Sequence, residues 1–190
     1  MENLPNQFFY SKEEDRLNVI SHGIGFILSI IGLIFLLNKG LQDFNLLRFL
    51  SFLIYGISLS TMYIASTLYH NSKTPEGRYK FRLFDMVSIY LLIAGSYTPF
   101  TLTVLIDSGG LTLFLLVWVI AFIGIIWKIF TVGNYNISST LLYIFMGGLW
   151  LFFIDAFINE IPQNALMWIY ASASTYLIGV FFYLADSKVK

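Results

Sequence analysis

Charged residues are spaced unevenly along the chain, so that long apolar stretches alternate with short polar ones. No Asp, Glu, Lys or Arg occurs in residues 17–38, 49–72, 86–106, 108–127, 129–154 and 161–185. A helix that crosses a hydrocarbon core of about 30 Å needs roughly 20 mostly apolar residues, and each stretch is long enough. Backbone amides in lipid find no water to pair with, so each stretch is expected to be helical. The pattern predicts an all-α polytopic membrane protein with six transmembrane helices, at about residues 17–38, 46–70, 84–105, 111–131, 137–158 and 164–185.

Composition supports this fold class. Hydrophobic residues make up 57% of the chain and charged residues only 12%, which leaves too little polar surface to cover a water-soluble core. We therefore expect one transmembrane domain over residues 1–190, with the lipid bilayer as its main partner. The formal net charge of zero and the lack of an extended basic patch argue against a nucleic acid partner. The absence of cysteine excludes disulfides and thiolate metal ligands.

The basic residues predict the orientation of the helices. When the segments between helices are assigned to alternating sides, one side receives Lys12, Arg16, Lys73, Arg78, Lys80, Arg82, Lys128, Lys188 and Lys190, and the other receives only Lys39 and Arg48. Short loops rich in Lys and Arg are retained in the cytoplasm, so both termini are expected to be cytoplasmic. The polar, partly acidic start of the chain is unlike a secretory leader, and no cleaved signal is expected.

Turn-forming residues predict where the helices end or bend. The segment 71–80, with Pro75 and Gly77 among charged residues, is typical of a solvated turn. Gly109 and Gly110 predict a second turn, and Pro99 predicts a bend because it removes a backbone donor.

A few polar residues within the apolar stretches are candidates for chemistry. His22, His70 and Asp85 are all expected near the cytoplasmic face, and Ser66 lies one helical turn before His70 on the same face. Imidazole is the commonest metal ligand in proteins, and a carboxylate can bind an ion or orient its water. The alternative is structural: both histidines hydrogen-bond at the headgroup level, and Asp85 caps the start of a helix. Spacing alone leaves both interpretations open.

Several segments carry a resemblance to a known family. They are residues 13–25 (EEDRLNVISHGIG), 65–70 (ASTLYH), 82–85 (RLFD) and 89–100 (IYLLIAGSYTPF). These segments resemble the bacterial hemolysin III family, within the wider progestin and adipoQ receptor superfamily, and the resemblance extends over nearly the whole chain.

The resemblance implies a seven-helix bundle with a zinc site near the cytoplasmic face. In that pattern His70 is a zinc ligand, Asp85 holds the zinc-bound water and Ser66 supports the site. Two further ligands come from a His-x-x-x-His motif on the seventh helix, which is absent from this sequence. The chain is thus expected to resemble the family bundle without its last helix, with His22 as a possible replacement ligand. Met86 also stands where bacterial members commonly carry histidine.

The resemblance implies two functions that belong to different classes. The family name implies a cytolytic or channel-like protein of the bacterial inner membrane. The superfamily's metal site implies a zinc-dependent hydrolase of lipid amides or esters, in which Asp85 would take a proton from the zinc-bound water. A third hypothesis is a degenerate family member that keeps the fold but has lost the chemical activity. The place left by the seventh helix could then be filled by a second copy, which predicts a homo-oligomer.

Overall fold

The structure is a computed structural model that describes residues 10–42, 44–131 and 136–185, with only the backbone described at Asn136. Lys188 and Lys190, which entered the charge count, lie outside this range. Almost all described residues are helical, and no strand occurs among them. The α-helices are α1 (Lys12–Leu41), α2 (Leu46–Asn71), α3 (Pro75–Pro99), α4 (Leu111–Thr131), α5 (Asn136–Gly147), α6 (Ile154–Glu160) and α7 (Gln163–Ala185).

The predicted number of membrane-spanning helices is confirmed. Six helical segments in the described chain are long and apolar enough to cross a bilayer: Lys12–Leu41, Leu46–Asn71, Pro75–Val104, Ile106–Thr131, Ile137–Glu160 and Gln163–Ala185. The fifth of these spans combines α5 and α6. The chain is therefore a multi-pass membrane protein.

Two predicted helix boundaries were wrong, and local capping explains why. The third helix begins at Pro75, not near residue 84, because Thr74 accepts a hydrogen bond from the Gly77 amide at 3.2 Å and proline suits the first helical position. Segment 71–80 is therefore mostly helix, and Asp85 lies inside α3, where it cannot cap a helix start. The first helix begins at Lys12, not at residue 17, because Ser11 and Glu14 form a reciprocal capping box.

The turn predicted at Gly109 and Gly110 is confirmed, and the regular α-helix ends at Pro99. Beyond Pro99 the chain continues through one π-helical turn, Phe100–Val104, and then through Ile106–Gly110, where Ser108 and Gly109 leave helical geometry before α4 begins. Gly109 has a φ of 87°, a conformation that side chains other than glycine rarely adopt. The fifth span holds a break that was not predicted, since a short 3₁₀ segment, Leu149–Phe153, separates α5 from α6 after Gly147 and Gly148.

The helices pack mainly against their neighbours in sequence, α1 on α2, α2 on α3 and α3 on α4. The main apolar core lies between α3, α4 and the fifth span; its buried side chains include Tyr90, Ala94, Val117, Ala121, Met146 and Leu149. The two outermost spans are the least buried, although α1 packs along α2. In the apolar 18-residue stretch of the first span and of the sixth span, only 6% of the residues are buried. In the corresponding stretches of the other four spans, 22–39% of the residues are buried. Much of both helices therefore faces the surroundings of the bundle.

Candidate functional site

The starts of α1 and α3 and the end of α2 meet at one end of the bundle. Because consecutive spans run in opposite directions, a residue early in α1 lies level with one late in α2 and one early in α3. The side chains gathered there are Tyr10, Asp15, Asn18, His22, His70 and Arg78, and we call this group the polar centre.

Asp15 connects all three helices of the polar centre. Its Oδ1 atom lies 2.9 Å from Nδ1 of His70 and accepts a hydrogen bond from the Arg78 guanidinium at 2.7 Å. The Arg78 side chain is fully buried, and those of His70 and Asp15 are 9% and 20% exposed. Hydrogen bonds that involve an ionised partner are the strong ones, and burial shields them from water. One carboxylate thus joins α1 to α2 and to α3.

Arg78 also caps the C-terminal end of α2 through hydrogen bonds. One of its guanidinium nitrogens donates to the carbonyl of Tyr69 at 2.9 Å and to that of His70 at 3.1 Å. The last carbonyls of a helix have no partner within the helix, so this guanidinium supplies a donor to both, in addition to the Ser72 amide that reaches the Tyr69 carbonyl at 3.3 Å. Its carbon also lies 4.5 Å from the centre of the Tyr69 ring, a favourable position for a cation over an aromatic face.

The two histidines lie side by side. The rings of His22 and His70 are stacked with their centres 6.0 Å apart and their planes 4° from parallel. Tyr10 and Tyr69 approach the His70 ring with centres at 5.4 Å and 4.7 Å. His22 follows Asp15 by seven residues, two helical turns, so both lie on the same face of α1. The ring of His70 is therefore bounded by three aromatic neighbours.

Asp85 belongs to an adjoining polar group. Its carboxylate lies near the buried Ser66 hydroxyl and interacts electrostatically with Arg82. The buried Tyr69 interacts electrostatically with Asp85 and Arg82 and also with Arg78, so it lies between the two groups. The structure therefore brings His22 and His70 together, pairs Ser66 with Asp85, and connects the two pairs through Tyr69.

Comparisons with known proteins identify the family. A family described as Haemolysin-III related matches residues 10–189. The chain belongs to this family. It is 38% identical over 172 residues to Hemolysin-3 of Bacillus cereus, a match that covers 90% of this chain and 78% of that protein. It is 33% identical over 175 residues to the Hemolysin-3 homolog of Bacillus subtilis (strain 168), over 92% and 82% of the two chains. No solved structure matches.

The described residues of this haemolysin III-related protein do not by themselves fit a zinc centre. No group of three His, Cys, Asp or Glu side chains suited to a metal lies within residues 10–42, 44–131 and 136–185. Nδ1 of His70 also already faces Asp15. Zinc binding by His70 and His22 stays a prediction, and we derive no chemical step through a metal.

Sequence reasoning missed Asp15, Asn18 and Arg78. Asp15 is one of three consecutive acidic residues, Glu13 to Asp15, in a segment whose composition is typical of a polar terminus. The available signal was its distance of two turns from His22. Arg78 was counted only as a charge that sets orientation, and nothing in the local sequence marks it as buried.

Proposed function

We propose that the protein resides in a bacterial cell membrane with its polar centre on the cytoplasmic side. Seven basic residues of the described chain support this orientation at that end of the bundle: Lys12, Arg16, Lys73, Arg78, Lys80, Arg82 and Lys128. The opposite end carries Lys39 and Arg48. The bias towards one side is the pattern of positively charged cytoplasmic segments.

We further propose that the protein permeabilises lipid bilayers as an assembly of several copies. The name Hemolysin-3, carried by the two relatives from Bacillus, supports a membrane-disrupting activity. The observation that carries the proposal is the low burial of the first and sixth spans, since only 6% of the residues in the apolar stretch of each are buried. The sixth span packs little against the rest of the copy, and the first span packs on α2 alone, so both leave large faces with which to contact another copy.

The sixth span carries small and hydroxyl-bearing residues on its exposed surface. Ala171, Ser172 and Thr175 are exposed in the middle of α7 and lie on one face of the helix. In a bilayer, small residues let helices approach closely, and hydroxyls form hydrogen bonds between helices. This face is therefore suited to helix association, which in turn favours a homo-oligomer over single copies.

Dye release from liposomes tests this proposal. Vesicles loaded with a self-quenching dye are expected to leak when the purified protein is reconstituted, and leakage should rise more steeply than the protein-to-lipid ratio because several copies act together. Ser172→Phe should reduce leakage several-fold, because the ring prevents close approach of two α7 helices. Leakage is measured as fluorescence at equal insertion, which vesicle flotation verifies.

Leu177→Phe is the matched control on the same helix. Leu177 is already large and 54% exposed, so a phenyl ring there changes little and leakage should match that of the parent protein. Fully inserted protein that releases no dye at any ratio would contradict the proposal. Leakage strictly proportional to the protein added would remove the requirement for an assembly.

Hydrolysis of a lipid amide or ester is the second candidate. The adjacent imidazoles of His22 and His70 and the hydroxyl of Ser66 near the Asp85 carboxylate favour it. A polar site among three membrane-spanning helices is also within reach of lipid headgroups. A zinc-dependent version requires metal ligands in addition to the described residues.

A further inference from the structure

Nδ1 of His70 has two neighbours whose contacts require opposite protonation states of this nitrogen. Asp15 Oδ1 lies 2.9 Å away and can only accept a hydrogen bond when it is ionised, whereas Asn18 Nδ2 lies 3.4 Å away and can only donate one. In a neutral imidazole each ring nitrogen carries either a proton or a lone pair. The contact that prevails therefore decides which nitrogen of His70 holds the proton.

The Asp15 contact is the stronger of the two. It is 0.5 Å shorter than the Asn18 contact, and its acceptor is charged. A lone pair on Nδ1 would face a carboxylate oxygen at 2.9 Å, and two acceptors at that distance repel each other. A proton on Nδ1 does not create a similar repulsion with Asn18. A half-turn of the Asn18 amide exchanges its nitrogen and oxygen positions, and the oxygen can then accept that proton. Geometry thus places the proton on Nδ1.

The Arg78 guanidinium holds the carboxylate in this position. It donates to the same Oδ1 atom at 2.7 Å while its other arm is bonded to the end of α2. The positive charge of Arg78 already balances the negative charge of Asp15, so the pair does not require a second cation on His70. The neutral ring with its proton on Nδ1 satisfies the Asp15 contact directly and the Asn18 contact once the Asn18 amide is turned.

We propose that Asp15, held by Arg78, is a positioning residue that fixes the tautomer of His70. It keeps the proton on Nδ1 and leaves Nε2 as the lone-pair atom that the polar centre presents to a ligand. The aromatic rings around His70 fix its plane, and therefore the direction of that lone pair. This inference does not depend on the proposed permeabilisation.

Nitrogen NMR of the two histidines tests the proposal directly. The chain contains only His22 and His70, so ¹⁵N-histidine labelling gives two imidazole signals, and His22→Gln assigns them. In nanodiscs at neutral pH, His70 is expected to show a protonated Nδ1 and a lone-pair Nε2. Asp15→Asn should shift the tautomer ratio towards Nε2–H by about tenfold or more, because a hydrogen bond to a charged group is lost. Asp15→Glu should restore at least part of the wild-type ratio.

Glu13→Gln is the matched control, since Glu13 is an exposed carboxylate in the same helical turn and should leave the spectrum unchanged. Three results would overturn the inference: a wild-type His70 protonated on Nε2 alone, a wild-type His70 protonated on both nitrogens, or an unchanged ratio in folded Asp15→Asn. If Asp15→Asn does not fold, the wild-type spectrum still decides, because it reports the tautomer without any variant.

Discussion

Replacing Arg78 by alanine is expected to lower the free energy of unfolding by about 3–5 kcal/mol, the usual effect of removing one partner from a buried charge pair. The substitution leaves the Asp15 carboxylate without its cation and removes the donors that close the end of α2. Arg78→Lys should recover only part of the loss, since one ammonium cannot reach both the carboxylate and the helix end as the fork of the guanidinium does. Denaturant-induced unfolding in mild detergent, followed by circular dichroism, measures the change.

Lys80→Ala provides the control for Arg78→Ala. Lys80 is two residues away in the same helix and forms an ion pair with Glu76 at 2.7 Å, but both side chains are 69% exposed. Exposed pairs contribute little because water screens them and the side chains lose entropy. The Lys80→Ala protein should therefore unfold at the same denaturant concentration as the parent. Equal effects of the two substitutions would show that Arg78 is not the buried link that joins the three helices.

Gly95→Leu is expected to destabilise the bundle by about 3 kcal/mol or more, at the upper end of the range for overpacked cores. Gly95 lies where α3 crosses α2, and a Cβ atom there would lie 2.9 Å from Cβ of Ser58 and would also overlap its hydroxyl. Ser58 is buried and its hydroxyl donates to the carbonyl of Tyr55 at 2.8 Å, so the two helices would have to separate. Thermal unfolding in the same detergent measures the loss.

Gly179→Leu is the control for Gly95→Leu. It separates the steric effect from the change in stability that follows when any glycine in a helix is replaced by leucine. A Cβ atom at Gly179 would meet nothing within 4 Å, and the residue is exposed on α7. Its substitution should leave the unfolding temperature unchanged or slightly raised, because leucine favours a helix more than glycine does. A stable Gly95→Leu protein would mean that α2 and α3 do not pack as closely as the structure shows.

The number of spans could be predicted from sequence because it depends on one dominant quantity, the free energy of moving charged groups into hydrocarbon. Runs without charge are visible in the sequence and map directly onto spans. The ends of helices depend on weaker local interactions. The capping by Thr74 and the position of Pro75 extended α3 across a segment whose charges suggested a loop.

The polar centre could be predicted only in part. His22 and His70 stand out because ionisable residues in apolar stretches are few, and alternating spans place them at the same end. Asp15 and Arg78 resemble ordinary residues of a polar terminus and a charged loop. Their role depends on the packing of three helix ends, and a single sequence does not encode such distances in any local pattern. Asp85 and Ser66 were both candidates from the sequence, but their proximity across two helices depends on the same packing.

Cysteine labelling in intact bacteria tests most directly whether the polar centre lies at the cytoplasmic face of a membrane-spanning bundle. The natural chain has no cysteine, so Lys73→Cys, beside the polar centre, and Asp107→Cys, at the opposite end, each introduce a single exposed reactive site. A membrane-impermeant maleimide is expected to label Asp107→Cys in whole cells and Lys73→Cys only after lysis. Labelling of Lys73→Cys in whole cells, with Asp107→Cys protected, would contradict the orientation, and recovery of either protein without detergent would contradict the membrane-spanning fold.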